Sequence, residues 1–260
     1  MKSINSRDNE QYKAVKRLVT NASERRKSGR SVLDGAHLLA AFLDSGGKPE
    51  EIYVSQAGLA RDEIARLVQR SEPVPLTLLA DSLFDAVSTV ESPTGVIAVV
   101  PTPAAKPVPS DAGFVLLLED IQDPGNVGTL LRSAAAAGAE HVMLSPGCAF
   151  AWSPKVLRAA MGAHFAVNIA EGVDLAAWLA TYRGTSVALA GESGRSLYDL
   201  DLRGPVAFVV GNEGAGLSPA LRKAARERAS IPMSPRMESL NAAAAGTVAL
   251  FEAARQRRKR

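Results

Sequence analysis

Cysteine is almost missing from this chain: Cys148 stands alone among 260 residues. A single thiol excludes an intrachain disulfide and a cysteine-built zinc cluster, and it reads as a small core or loop residue. Histidine is scarce as well. His37, His141 and His164 are scattered without metal-ligand spacing, so no metal site is expected and all three read as structural. No apolar run reaches the roughly 18 residues that a membrane-crossing helix needs. The opening residues, MKSINSRDNEQYK, lack the apolar core of a secretory signal. These absences point to a cytoplasmic enzyme or binding protein. What is present is globular in character. With 47% hydrophobic and 22% charged residues, the chain has material for a real core, in one large domain or two ordinary ones.

The net charge of +3 is unevenly spread. Residues 1–30 hold nine Lys/Arg against three Asp/Glu, and the closing RQRRKR holds five bases and no acid. The stretch between is therefore acidic. Positive ends of this kind suit a polyanion such as nucleic acid; a solvated helix and a frayed tail are the plain alternative.

Proline marks the boundary between two blocks. Residues 101–110, PTPAAKPVPS, hold four of the fifteen prolines, and such a stretch reads as a stiff extended linker. This gives a first domain over 1–100, a linker over 101–110 and a second domain over 111–260. In the first block, Tyr12, Val15, Leu18 and Val19 fall on one helical face, with Gly29 as the expected helix stop. AHLLAAFLDSG and RDEIARLVQR read as further helices around the strand EIYVS, and PLTLL, SLFDAV and GVIAVV continue the alternation. The result is a small α/β sandwich, in which Asp34, Asp62 and Asp81 read as structural.

In the second block, GFVLLL, HVML, SVALA and PVAFVV are short apolar runs, as a parallel sheet covered on both faces requires. Helices are expected to begin near Val127, Pro154, Leu175, Pro219 and Leu240. Trp152 is expected to pack the loop after HVML, with stacking on a base as the alternative. Ligands in such sheets sit beyond the C-terminal ends of the strands, and three unusual segments fall there: DPGNVG, GNEGAG and the Met/Pro/Ser stretch IPMSPRMESLN. The glycines Gly211, Gly214 and Gly216 give G-x-x-G-x-G, which is the wrong order for a dinucleotide fingerprint. A phosphate-binding P-loop fails too, because Leu217 and Ser218 stand where Lys and Ser/Thr belong.

Three longer segments carry a resemblance. DPGNVGTLLRSAAAAGA, VVGNEGAGLS and IPMSPRMESLNAAAAGTVALFEAAR resemble, in order, the three signature motifs of the SpoU (TrmH-type) RNA methyltransferases of the SPOUT superfamily. SRDNEQYKAVKRL, VLDGAHLLAAFL and SPTGVIAVV resemble the substrate-binding half of the ribosomal-RNA members, with Asp34 where the family usually has Glu.

The resemblance implies an L30e-like RNA-binding sandwich followed by a SPOUT α/β domain with a deep trefoil knot. It implies a homodimer through that second domain, and S-adenosylmethionine as methyl donor for a ribose 2′-hydroxyl. Donor contacts would come from Leu189, Ala190, Gly191, Gly211, Ile231, Met233 and Leu240. Asn126, Arg132, Glu213, Ser239 and Asn241 would surround the acceptor ribose. The family casts Arg132 as a general base. A guanidinium pKa above about 12 favours an anchor for phosphate and developing alkoxide instead. Glu213 serves either catalysis or the cap of the helix near Leu217. The N-terminal half favours 23S ribosomal RNA over transfer RNA as substrate. A non-catalytic RNA-binding or ribosome-assembly protein on the same fold is the rival reading, and a nucleotide-dependent oxidoreductase is disfavoured by the glycine order.

Overall fold

The computed structural model describes residues 1–190 and 195–258. They form two compact units, one of residues 1–104 with 152–165, the other of residues 105–151 with 166–260.

The first unit runs β1 (Lys2–Ile4), α1 (Glu10–Thr20), α2 (Ala22–Ser28), β2 (Arg30–Asp34), α3 (Ala36–Asp44), β3 (Glu51–Ser55), α4 (Gln56–Leu59), α5 (Asp62–Arg70), β4 (Leu76–Leu79), α6 (Asp81–Val87) and β5 (Val96–Pro101). Its sheet has the order β1-β4-β3-β5-β2, with β5 antiparallel to both neighbours. Tyr12, Val15, Leu18 and Val19 bury the expected face of α1 against Val32, Tyr53 and Phe84. Gly29 is not the end of that helix. Asn21 stops α1 and immediately caps α2, its side chain accepting from the Ser23 and Glu24 N–H groups. Gly29, at φ 64, then ends α2 in the left-handed region that glycine tolerates. Asn, which ends one helix and caps the next, acts before the glycine is reached. Two of the three acids are structural as expected. Asp34 accepts from Ser88 and Thr89, and Asp81 accepts from the Gln56 and Ala57 N–H groups at the start of α4.

The second unit continues with β6 (Phe114–Leu118), α7 (Pro124–Ala137) and β7 (His141–Leu144). The chain then makes α8 (Pro154–Ala160), which belongs to the first unit, before β8 (Asn168–Ala170), α9 (Leu175–Thr181), β9 (Thr185–Leu189), β10 (Arg195–Ser196), β11 (Val206–Val210), α10 (Pro219–Ala224), β12 (Glu227–Ser230) and α11 (Ala242–Arg257). All seven strands of this sheet are parallel, in the order β10-β12-β9-β11-β6-β7-β8. Strands β6 and β11 lie centrally and every residue in them is buried, which is why they read as unbroken apolar runs. From β6 the chain runs to β7 and β8 on one side, and later strands β11, β9, β12 and β10 fill the other. That is the switch-point arrangement that opens a crevice at the strand C-termini.

Several local expectations are corrected. The helix expected near Val127 starts earlier, within DPGNVG: α7 begins at Pro124, with Asp123 as N-cap accepting from the Asn126 N–H at 2.8 Å. An Asp cap followed by Pro in the first turn is a strong start signal, and it outweighs the glycines behind it. Helix α11 begins at Ala242, not Leu240, because Asn241 caps it. Trp152 is buried within the first unit against His164, ring centroids 4.9 Å apart, so it is not available to stack on a base. The second half of the proline stretch is stitched to the second unit, where Lys106 exchanges two hydrogen bonds with Asn168 and the Val108 carbonyl accepts from Trp178.

The basic C-terminus is largely helix. Arg255 pairs with the buried Glu252 at 2.7 Å. Arg257 donates to the Gly113 and Gly204 carbonyls at 2.8 and 2.6 Å and stacks over Phe114. Burial lowers its pKa while leaving it a cation. Lys259 and Arg260 lie outside the described residues. The small residues of α11 are also accounted for within the chain. Gly246 faces Leu130 of α7 so closely that a Cβ there would collide with it, and Ser133 and Thr247 share a hydrogen bond of 2.7 Å. Replacing Arg257 by Met keeps the packing volume and removes its hydrogen bonds to the carbonyls of Leu202, Gly113 and Gly204. Urea unfolding should register a loss of about 1–3 kcal/mol; an unchanged midpoint would mean the tail does not tie down the sheet.

Candidate active site

The site forms at the C-terminal ends of β9, β11 and β12, where the GNEGAG turn, the 231–241 segment and the first turn of α7 meet. A cavity of about 270 Å³ opens there. Leu189 and Ala190 from the end of β9, Gly211 after β11, and Ile231, Met233 and Leu240 beyond β12 all line it. These are six of the seven residues expected to hold the donor. The seventh, Gly191, lies outside the described residues.

The close approach at Gly211 shapes the cavity. A Cβ on Gly211 would run into the backbone of Gly216 and Leu217, so the turn can fold back over β11 only if this position carries no side chain. Asn212 holds that turn closed. Its Oδ1 accepts from the Gly214 and Ala215 N–H groups at 3.0 and 2.9 Å, and its Nδ2 donates to the Asp120 carbonyl at 2.8 Å. Glu119 completes the anchorage by accepting from the Ser218 N–H at 2.7 Å. The acidic pair Glu119–Asp120 therefore has a structural use. Asp120, at φ 52, is also bridged to Ser145. Cys148 donates to the Leu118 carbonyl beneath them, and burial pushes its thiol pKa up, as an inert cysteine requires.

Glu213 does not cap α10, which Ser218 caps for itself. Its carboxylate turns instead to the N-terminus of α7, accepting from the Asn126 side chain at 2.9 Å and from the Gln122 and Asp123 N–H groups at 3.4 and 3.3 Å. Negative charge at that end of a helix is favoured by the helix dipole. Burial by itself would raise the Glu213 pKa. The hydrogen bonds from Asn126 and the backbone outweigh it and hold the group below its ordinary range. Asn126 passes the connection on: its Oδ1 accepts from Asn241 at 3.1 Å, and the Asn241 Oδ1 caps α11 by accepting from Ala243 and Ala244. One chain of hydrogen bonds thus joins Glu213, Asn126 and Asn241.

Ser239 lines the cavity beside Leu240. Arg132 stands apart. It lies on the exposed stripe of α7 with Gly125, Thr129 and Ala136, and it is not part of the cavity wall. Six residues separate it from Asn126, which puts the two about 9 Å apart along the axis and on different faces. Arg132 has no hydrogen-bond or ion-pair partner among the described residues. Sequence reasoning missed Asn212, although its place inside the glycine turn was the available signal. It also missed Ala229 and Ala245, small wall residues that carry no signal at all.

Glu213 is the only charged side chain among the described residues of the cavity wall, and no cluster able to hold a metal occurs among the described residues. A space with aliphatic and thioether walls, rimmed by loop N–H and C=O groups, fits an adenosine-like ligand with an apolar arm.

Comparison with known proteins agrees with this geometry. Residues 113–251 match the SpoU rRNA Methylase family, and residues 9–98 match the MRM3-like substrate binding domain. The chain belongs to the SpoU rRNA methylase family. Among its relatives is the 23S rRNA (guanosine(2553)-2′-O)-methyltransferase RlmP of Bacillus subtilis, 32% identical across 96% of this chain and 98% of that protein. The 23S rRNA (uridine(2479)-2′-O)-methyltransferase of Streptomyces viridochromogenes is 30% identical across 96% of this chain and 91% of that protein. The crystal structure of the SpoU methyltransferase AviRb from Streptomyces viridochromogenes in complex with AdoMet superposes with a TM-score of 0.86 at 28% identity. That superposition covers 96% of this chain and 98% of the other.

The Glu213 tether has a pH signature. Its folded pKa is depressed, so its stabilisation is present above the ordinary glutamate value of 4.5 and is lost as the pH falls through the lower folded value. Because the side chain is exposed, the effect should stay below about 1 kcal/mol. Glu213→Gln should be less stable than the parent at pH 7, and the two unfolding curves should converge toward pH 3. A gap that stays constant with pH would show that the carboxylate charge is not involved.

Proposed function

We propose that this chain methylates a ribose 2′-hydroxyl of large-subunit ribosomal RNA, using S-adenosylmethionine, in the cytoplasm. The observation that carries the proposal is the cavity at Gly211. Its walls combine the six described residues expected to hold the donor with Glu213 and Ser239 from the expected acceptor side. The relatives matched along nearly the full chain act on 23S rRNA, which favours that substrate over transfer RNA.

The donor, when bound, supplies a methyl group already activated on sulfur, so the chain's own work is binding and orientation. Leu189, Ile231, Met233 and Leu240 would hold its apolar parts, and the backbone around Ala190 and Gly211 its polar edges. Asn126, Ser239 and Asn241 present amide and hydroxyl groups that can orient a ribose. Glu213 keeps Asn126 in place. Arg132, as a fully ionised guanidinium, suits an anchor for phosphate and developing alkoxide better than a proton acceptor.

The position of Arg132 outside the cavity wall favours a homodimer through the second unit, in which each copy lends its arginine to the other's cavity. Phe251, 44% exposed on α11, offers apolar surface for that contact. The first unit, which matches a substrate-binding domain, supplies part of the RNA affinity. The deep trefoil knot belongs to the same reading. It is supported by the strand order, in which the segment after β12 must return past β9 and β11 before α11 packs on α7.

Two substitutions separate donor binding from chemistry. Gly211→Ala should abolish calorimetric donor binding, because the turn must open. Arg132→Ala should leave donor binding unchanged and lower single-turnover methyl transfer by orders of magnitude, as a loss of about 3 kcal/mol or more implies. Arg132→Lys should fail as well, since a point charge cannot reproduce the planar fork. Mixing the Gly211 and Arg132 variants should restore part of the activity if the site is shared between copies. Near-normal transfer by Arg132→Ala would remove this residue from the mechanism.

A further inference from the structure

A second concavity lies in the same unit, formed by β10, α10 and β12. It measures about 640 Å³, and Arg195, Arg222, Lys223, Arg226 and Arg228 surround it, with no carboxylate among its described lining residues. All five cations are exposed. Several cations elsewhere are paired with carboxylates: Arg30 with Glu50, Arg70 with Asp44, Arg203 with Asp201 and Arg255 with Glu252. Around this concavity Arg195 donates to the Asp199 carbonyl, and Arg226 to the Tyr182 and Arg183 carbonyls. Arg222, Lys223 and Arg228 have no hydrogen-bond or ion-pair partner among the described residues. Like charges gathered around one hollow repel one another, so the arrangement is favourable chiefly when an anion occupies it.

This basic hollow adjoins the candidate active site along β12. Ala229, which lines the donor cavity, follows Arg228 in the chain and is the register partner of Arg195. The Arg222 guanidinium reaches to 3.3 Å from where a Cβ on Gly216 would stand, and Gly216 is part of the turn that closes the donor cavity. We infer that this face of the second unit grips the RNA phosphate backbone beside the modified nucleotide, independently of the first unit. The inference rests on the proposed methyltransferase function and extends it to a second contact surface. Five exposed positive charges gathered on one face suit the phosphodiester groups of a flexible strand, which attract cations in any orientation. Four of the five cations fall within residues 222–228, outside the signature motifs, and Arg195 joins them only through the pairing of β10 with β12.

The test uses the full-length protein and unmodified 23S rRNA transcript as probe. Arg222→Ala/Lys223→Ala/Arg228→Ala removes three cations whose side chains make no hydrogen bond or ion pair among the described residues. RNA affinity should fall at least tenfold at low salt, and the slope of log K against log salt should become shallower by about 2. Donor affinity and maximal turnover at saturating RNA should stay at parental values, so that the loss appears in KM. Arg222→Lys/Arg228→Lys should retain most of the affinity, since charge at the surface is what the phosphates require. Unchanged RNA affinity and salt slope in the alanine variant would overturn the inference, and would point to an acidic protein surface as the occupant. Equal loss in the lysine variant would overturn it too, by showing a role for shape rather than charge. Failure of the underlying function is distinguishable: the parental protein would then bind no donor and transfer no methyl group.

Discussion

The hydrogen-bond chain from Glu213 through Asn126 to Asn241 is the interaction on which the site depends. It joins three segments that lie about as far apart in sequence as the second unit allows. Each link does two jobs. Glu213 satisfies donors at the start of α7 while its loop encloses the cavity, and Asn241 caps α11 while presenting its amide to Asn126. A cap and a site residue are usually separable. Here they coincide, so the start of each helix is fixed relative to the cavity by the same groups that face it.

Gly211 sets the complementary constraint. The turn after β11 doubles back until the backbones of Gly211 and Gly216 are in contact, and Asn212 and Glu119 fasten it there. Backbone in contact with backbone leaves no slack. The cavity floor is therefore rigid, and its polar edges are fixed dipoles rather than mobile side chains, which suits a task made mostly of positioning. Rigid packing continues behind it, where the small residues of α11 let it lie close against α7.

Much of this was legible in the sequence, and for physical reasons. The central strands β6 and β11 are buried on both faces and had to be apolar throughout. The glycines at 211–216 announced a tight turn because few other residues permit one. The elements that escaped notice have weaker constraints. Strand β12, ERAS, buries only Ala229, so no period shows. Helix α7 starts at Pro124 and not near Val127, because the Asp123 cap and Pro124 outweigh the glycines that follow. Glu213 could not be placed at all from local sequence, since its partners lie about ninety residues earlier. The position of residues 152–165 within the first unit depends likewise on distant contacts and leaves no local trace.

The distribution of charge follows from the chemistry proposed. A sulfonium donor is a cation whose charge disappears as the methyl group leaves, so a cavity that bound that charge strongly would stabilise the starting state more than the transition state. The one carboxylate among the described residues of the cavity wall, Glu213, is already committed to Asn126 and the backbone of α7. Its negative charge is shared with a helix terminus instead of being aimed at the ligand. On the other side of β12 the opposite logic holds. There the ligand proposed is a polyanion whose charge does not change during the reaction, and the five cations around Arg222 can bind it in the starting and transition states alike. Uniform binding of that kind lowers KM without assisting the chemical step, which is the division of labour expected between a surface that recruits RNA and a cavity that modifies it.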